Sequence, residues 1–92
     1  MFYCYVLKSE RTGRRYVGSC EDLEVRFGRH NLGKVQGTKH GTPWIMLHRE
    51  VFDTRRQAIT KELYYKTGRG RDELDRITRG RSPRRLTPIF HL

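Results

Sequence analysis

Hydrophobic and polar positions alternate weakly through residues 2–7 (FYCYVL) and again through 15–19, and a polar stretch with Thr12-Gly13 separates the two runs. Aromatic and β-branched residues in alternation, with Gly at the break, predict an antiparallel hairpin. The period then lengthens. In CEDLEVRFGRHNLGK the apolar or ring-bearing positions Leu23, Phe27 and His30 recur at helical spacing, acidic residues fall in the first turn, and Gly33 follows the end. That pattern predicts a helix with a defined start and stop. Residues 34–43 carry glycines and a proline and predict a loop, after which WIMLHREVF predicts a third strand with Pro43 at its start. Asp53 is the expected cap of a second helix, TRRQAITKELYYKTG, whose faces hold Ala58, Glu62 or Leu63, and Tyr65 or Lys66, and which is expected to end at Gly68. A short third helix is expected over RDELDRITRG. The order ββαβαα, without a repeating crossover, implies an α+β fold: a small three-stranded antiparallel sheet flanked by helices.

Composition narrows the picture. A chain of 92 residues has room for one hydrophobic core. The expected division is a domain over residues 1–80 and a loosely held basic tail over 81–92, with Pro83 and Pro88 in the tail. Hydrophobic residues at 35% against 33% charged describe a folded globule rather than a disordered segment. No apolar run is long enough to span a bilayer and the amino terminus does not read as a signal peptide, so a cytoplasmic location without membrane association is expected. Cys4 and Cys20 are expected to be free thiols. Net charge changes the functional picture most: +10, from 20 Lys and Arg against 10 Asp and Glu, with Arg in the majority. Such a surplus attracts polyanions by counterion release, and the guanidinium fork suits phosphate, which makes nucleic acid the expected partner.

Several residues have the chemistry for work on a phosphodiester. Tyr5 and Tyr16 lie on the two hairpin strands and share a face if the register permits; cross-strand packing is the competing reading. Arg26 and His30 fall on one face of the first helix, and Glu62 and Lys66 on one face of the second. Trp44, Ile45, Leu47 and Phe52 are expected in the core, while His40, His48 and His91 lack ligand spacing. The basic clusters around Arg69 and Arg71, and over residues 79–85, are expected to touch backbone phosphate.

Taken together, CYVLKS, RYVGS, DLEVRFGRHN, GTPW and AITKELYYKTGRGR resemble the GIY-YIG nuclease superfamily, most closely its small bacterial proteins, over about residues 2–76. CYV stands where the family has GIY, and YVG where it has YIG. The family includes the amino-terminal nuclease of bacterial excision repair, homing endonucleases and structure-selective resolvases. The resemblance implies metal-dependent endonucleolytic hydrolysis of DNA, with Mg2+ or Mn2+ as cofactor, no nucleotide cofactor, and a monomer acting on single-stranded or structured DNA in repair or processing.

Position by position, the resemblance makes Tyr5 and Tyr16 the motif tyrosines. It makes Arg26 the arginine on the scissile phosphate, His30 its polar neighbour, and Glu62 the metal-holding carboxylate. Gly18 would keep the second strand open for close approach, and Lys66, Arg69 and Arg71 would bind substrate. Tyr5 is the expected general base and Tyr16 the orienting partner, with their exchange left open; a phenol of pKa ~10 needs activation for that role. The competing function classes are a catalytically inactive nucleic-acid-binding module and an RNA-binding accessory protein.

Overall fold

The computed structural model describes residues 1–79; the tail expected over 81–92, with His91 and the arginines at 81, 84 and 85, lies outside the described residues. Strands β1 (Phe2–Ser9) and β2 (Arg15–Cys20) form the hairpin, followed by helix α1 (Leu23–Asn31), a 3-10 turn at Lys39–Gly41, strand β3 (Trp44–Phe52), and helices α2 (Arg55–Tyr65) and α3 (Gly68–Thr78). The three strands form one antiparallel sheet in the order β2-β1-β3, so the expected α+β fold with its ββαβαα order is what the chain adopts. The hairpin reverses where Gly13 takes a positive φ of 78°, a conformation open to glycine without a steric cost.

Alternation along β1 sorts the core into two clusters, one on each face of the sheet. One joins Tyr5, Leu7 and Cys20 to Leu23, Trp44 and Met46, with Tyr3, Tyr16 and Phe27 packed against it. The other joins Cys4, Val6 and Val17 to Leu47, Tyr65 and Leu74, with Phe52, Tyr64 and Ile77 alongside. Helix α1 therefore covers the first face, and α2 with α3 covers the second. Trp44, Ile45 and Leu47 are buried as expected and Phe52 is partly buried. Cys4 and Cys20 are free and buried on opposite faces.

Three helix boundaries differ from the sequence expectation, the first being the end of α2, which closes at Tyr65 with Lys66 as its cap while Gly68, expected to end it, opens α3. Thr54, not Asp53, caps α2: its hydroxyl accepts from the Gln57 N–H while the Gln57 side chain accepts from the Thr54 N–H, a reciprocal box that Asp53 has no means to complete. Helix α3 begins at Gly68, earlier than Arg71, because the Thr67 hydroxyl accepts from the Gly70 N–H and caps it there. Gly70 also allows α3 to close on the end of α2, since a Cβ at that position would overlap the Tyr64 carbonyl.

Candidate active site

β1 pairs Tyr5 with Gly18 and Leu7 with Tyr16, so both tyrosines lie on the α1 face of the sheet. Their ring centroids are 6.2 Å apart, and His30, brought down from α1, sits 5.7 Å from Tyr5 and 4.9 Å from Tyr16. Gly18 permits this arrangement. A Cβ there would lie 2.6 Å from the Tyr5 hydroxyl oxygen, 2.7 Å from its Cζ and 3.0 Å from a Tyr16 ring carbon. The open space over β2 expected for substrate is filled by the Tyr5 phenol, so the close approach that Gly18 allows is that of Tyr5.

The two phenols have different surroundings. Tyr5 is fully buried, and its hydroxyl lies 2.9 Å from His30 Nε2. Burial pushes its pKa well above the usual phenol value, neighbouring Tyr16 adds to the shift, and the Arg26 guanidinium offsets it only in part. Tyr16 is half-buried, and its hydroxyl makes no hydrogen bond to a described residue. His30 has no exposed surface, and its second nitrogen, Nδ1, lies 2.8 Å from Thr38 Oγ1. Burial, reinforced by the positive charge of Arg26, lowers its pKa to about 4, so the ring is neutral at physiological pH.

Arg26 is partly buried on α1 and forms no ion pair with a described residue. It lines an open groove of about 490 Å3 at the carboxyl end of β2, together with Ser19, Cys20, Arg29 and Arg55. Arg55 reaches the groove from the start of α2 and pairs loosely with Glu21 at 3.7 Å. Glu62 approaches from the other face of the sheet. Its Oε1 accepts a 2.6 Å hydrogen bond from Ser19 and its Oε2 a 2.8 Å bond from Lys66. Because β2 is an edge strand, Ser19 on one face and Tyr16 and Gly18 on the other bring Glu62 and the tyrosines to opposite flanks of one exposed edge. The Glu62 charge reaches Tyr5 and contributes to the rise in its pKa.

The structure thus gathers Tyr5, Tyr16, Arg26 and His30 on one flank and Glu62 with Lys66 on the other. Arg69 and Arg71 do not join them: both are exposed at the start of α3 and neither lines the groove. Ser19, Arg29, Arg55 and Thr38 take part although the sequence reading passed over them. Arg29 was legible as the residue one turn after Arg26 on the same helix. His48 likewise has a place: it pairs with Glu50 at 2.9 Å, and Glu50 also accepts from Tyr65 on the α2 face.

As for a metal, the described residues contain no group of three His, Cys, Asp or Glu side chains. The donor set at the site is the single Glu62 carboxylate, oriented by Ser19. That fits a small divalent cation, which binds through one or two carboxylates and keeps several waters, and does not fit an ion needing an all-protein cage. No described helix is long and apolar enough to cross a membrane.

Comparisons with known proteins agree with this architecture. A UPF0213 protein of Staphylococcus saprophyticus is 33% identical over 79 residues, covering 85% of this chain and 95% of the relative. One from Streptococcus pyogenes is 34% identical over 73 residues, covering 77% of each. The solution NMR structure of the UPF0213 protein BH0048 from Bacillus halodurans superposes with a TM-score of 0.54 at 25% identity, covering 88% of this chain and 89% of that one. The GIY-YIG catalytic domain matches residues 1–74, a span that includes both flanks of the site described above, and the chain therefore belongs to the GIY-YIG domain family.

Proposed function

We infer that this protein is a metal-dependent DNA endonuclease whose reaction centre is the exposed edge of β2. The observation that carries the reading is the placement of Glu62, held by Ser19 on one flank of that strand, opposite Tyr16 and Arg26 on the other. Hydrolysis of a phosphodiester needs a deprotonated water in line with the leaving oxygen and positive charge on the phosphoryl oxygens. Arg26 supplies a permanent, planar charge beside the groove and is held in no ion pair with a described residue, although Glu21 and Asp22 share the lining. Arg29 and Arg55 extend that charge along the groove, where they would hold the neighbouring backbone.

The two tyrosines exchange the roles expected from sequence. Tyr5, hydrogen-bonded to His30 and fully buried, acts as the anchor of the cluster. Tyr16, half-exposed and free of hydrogen bonds to described residues, is the phenol placed to give up its own proton to solvent and, as the phenolate, to take the proton of the attacking water. His30 has both ring nitrogens engaged and positions Tyr5 rather than touching substrate. Glu62 would hold Mg2+ or Mn2+, which when bound supplies charge to the phosphoryl and leaving oxygens. Lys66 pairs with Glu62 Oε2 at 2.8 Å and would offer a further positive charge to the substrate backbone.

Cleavage of labelled single-stranded, duplex and branched DNA, with and without Mg2+ or Mn2+, tests the reading. Metal-dependent cutting by the wild type, lost in Glu62→Gln with binding retained, is the expected result. A Glu62→Gln variant that cuts at the wild-type rate removes Glu62 from the chemistry. Salt-sensitive DNA binding with no cutting of any substrate would instead establish a nucleic-acid-binding module without catalysis.

A further inference from the structure

The hydrogen bonds behind Tyr5 run in a line away from the site: Tyr5 hydroxyl to His30 Nε2 at 2.9 Å, His30 Nδ1 to Thr38 Oγ1 at 2.8 Å, and Thr38 Oγ1 to the Val35 carbonyl at 3.4 Å. Tyr5 sets the direction from one end, and the Val35 carbonyl, at a long 3.4 Å, biases it from the other. A carbonyl oxygen only accepts, so a Thr38 hydroxyl turned toward Val35 offers His30 a lone pair. His30 Nδ1 must then carry the ring proton, and Nε2, left bare, must accept from Tyr5.

The other end of the line requires the same direction. Tyr5 is fully buried and its hydroxyl has no hydrogen-bond partner among the described residues other than His30, so a proton pointed anywhere else would be buried without an acceptor. Thr38 is itself fixed from two sides. Its N–H donates to the Val35 carbonyl at 3.0 Å and its carbonyl accepts from the Trp44 indole at 2.8 Å.

We propose that Thr38 is a positioning residue that keeps the His30 proton on Nδ1 and thereby makes Tyr5 a donor toward the protein interior and a pure acceptor toward the site. With the opposite tautomer, His30 Nε2 would donate to the Tyr5 oxygen and the phenolic proton would turn toward Gly18 and Tyr16. The polarity of the surface met by Tyr16 therefore depends on a threonine in the loop between α1 and β3, on the far side of His30 from the tyrosines.

Nitrogen-15 chemical shifts of the His30 ring in the intact protein at neutral pH read the tautomer directly, with no need for substrate. A protonated Nδ1 and a bare Nε2 in the wild type are expected; a protonated Nε2 overturns the proposal without any variant having to fold. Thr38→Val deletes the acceptor at nearly constant volume and should shift the ring toward protonation at Nε2, whereas Thr38→Ser should keep the wild-type pattern. A Thr38→Val spectrum identical to wild type refutes the role given to Thr38. The kinetic arm rests on the nuclease reading: Thr38→Val should cut DNA ~10–100-fold more slowly with KM little changed, the usual loss when an imidazole loses its orienting partner, and Thr38→Ser should restore the rate. Unchanged cleavage in Thr38→Val refutes the positioning role. A wild type with the expected tautomer that cuts no DNA refutes the nuclease reading and leaves the tautomer assignment standing.

Discussion

Replacing Gly18 with alanine adds one methyl group at the point where the two tyrosines meet. The new carbon would stand 2.6 Å from the Tyr5 oxygen and 2.7 Å from its Cζ, whereas carbon atoms in contact prefer ~3.5–4.0 Å. Something must therefore move by about an ångström. Tyr5 is fully buried, so a shift of its ring displaces its neighbours and disturbs the 2.9 Å bond to His30. Overpacking of this kind costs ~1–3 kcal/mol, and weakening a buried hydrogen bond adds ~0.5–1.5 kcal/mol. The sum, roughly 2–4 kcal/mol, corresponds to a fall in melting temperature on the order of 10–30 °C for a domain of this size. Gly28→Ala is the control. That glycine lies within α1, and a methyl group added there would meet nothing within 4 Å, so alanine should be stabilising by ~0.5–1 kcal/mol through helix propensity. Thermal melts of the two variants beside the wild type decide the matter: a Gly18→Ala protein that melts within about 2 °C of wild type would show that the Tyr5 ring does not lie over Gly18.

The two phenols should separate cleanly when each loses its hydroxyl. Tyr16→Phe should lower single-turnover cleavage by ~10²–10⁴-fold while its melting temperature moves little, and cutting at the wild-type rate would return Tyr16 to packing. Tyr5→Phe leaves His30 Nε2 buried without a donor and should instead destabilise by ~1–3 kcal/mol, so an unchanged denaturant midpoint would count against the Tyr5–His30 bond. Acid should weaken the fold through His30. Its folded pKa is lowered from 6.5 to about 4, so between those values the unfolded chain takes up the proton more readily, and stability that is complete above pH 6.5 is lost as pH falls toward 4. An NMR titration of His30 with a midpoint near 6.5 would refute the burial argument.

Most of the frame was legible because it rests on local pattern. Alternation in FYCYVL and the turn at Gly13 define the hairpin, and the segments CYVLKS, RYVGS and DLEVRFGRHN each fall on one element and its cap, whereas GTPW and AITKELYYKTGRGR bridge two. What escaped depends on contacts between distant residues or on choosing between adjacent cap candidates. The pairing of Ser19 with Glu62 spans 43 positions, and the Thr38–His30 bond comes from an irregular loop whose path no periodicity encodes. The sequence also offered no way to tell the two tyrosines apart, because their difference lies in what covers them: Gly18 admits one ring beneath α1, while the other stays at the edge. The Thr54 cap was legible in principle, since Gln57 stands three residues further on as a capping box requires. Asp53 and Thr54 both satisfy the simpler rule for a cap residue, and only the reciprocal bond to Gln57 separates them.

The pairing of β1 with β3 shifts register between Val6 and Leu7, whose partners are His48 and Met46, so that Leu47 is the extra residue on β3. That inserted position reverses the parity of the strand. Before it, the even-numbered Trp44 and Met46 point to the tyrosine face; after it, the even-numbered His48, Glu50 and Phe52 point to the α2 face. A single edge strand thereby serves two unlike neighbourhoods in succession, an apolar floor beneath the two tyrosines and a carboxylate that ties down Tyr65. Leu47 is consequently a position where β3 tolerates a change of length: its deletion would set Met46 beside His48 as their partners Leu7 and Val6 already are, every remaining side chain would keep its face, and the loss would be that of the Leu47 side chain from the α2-face core.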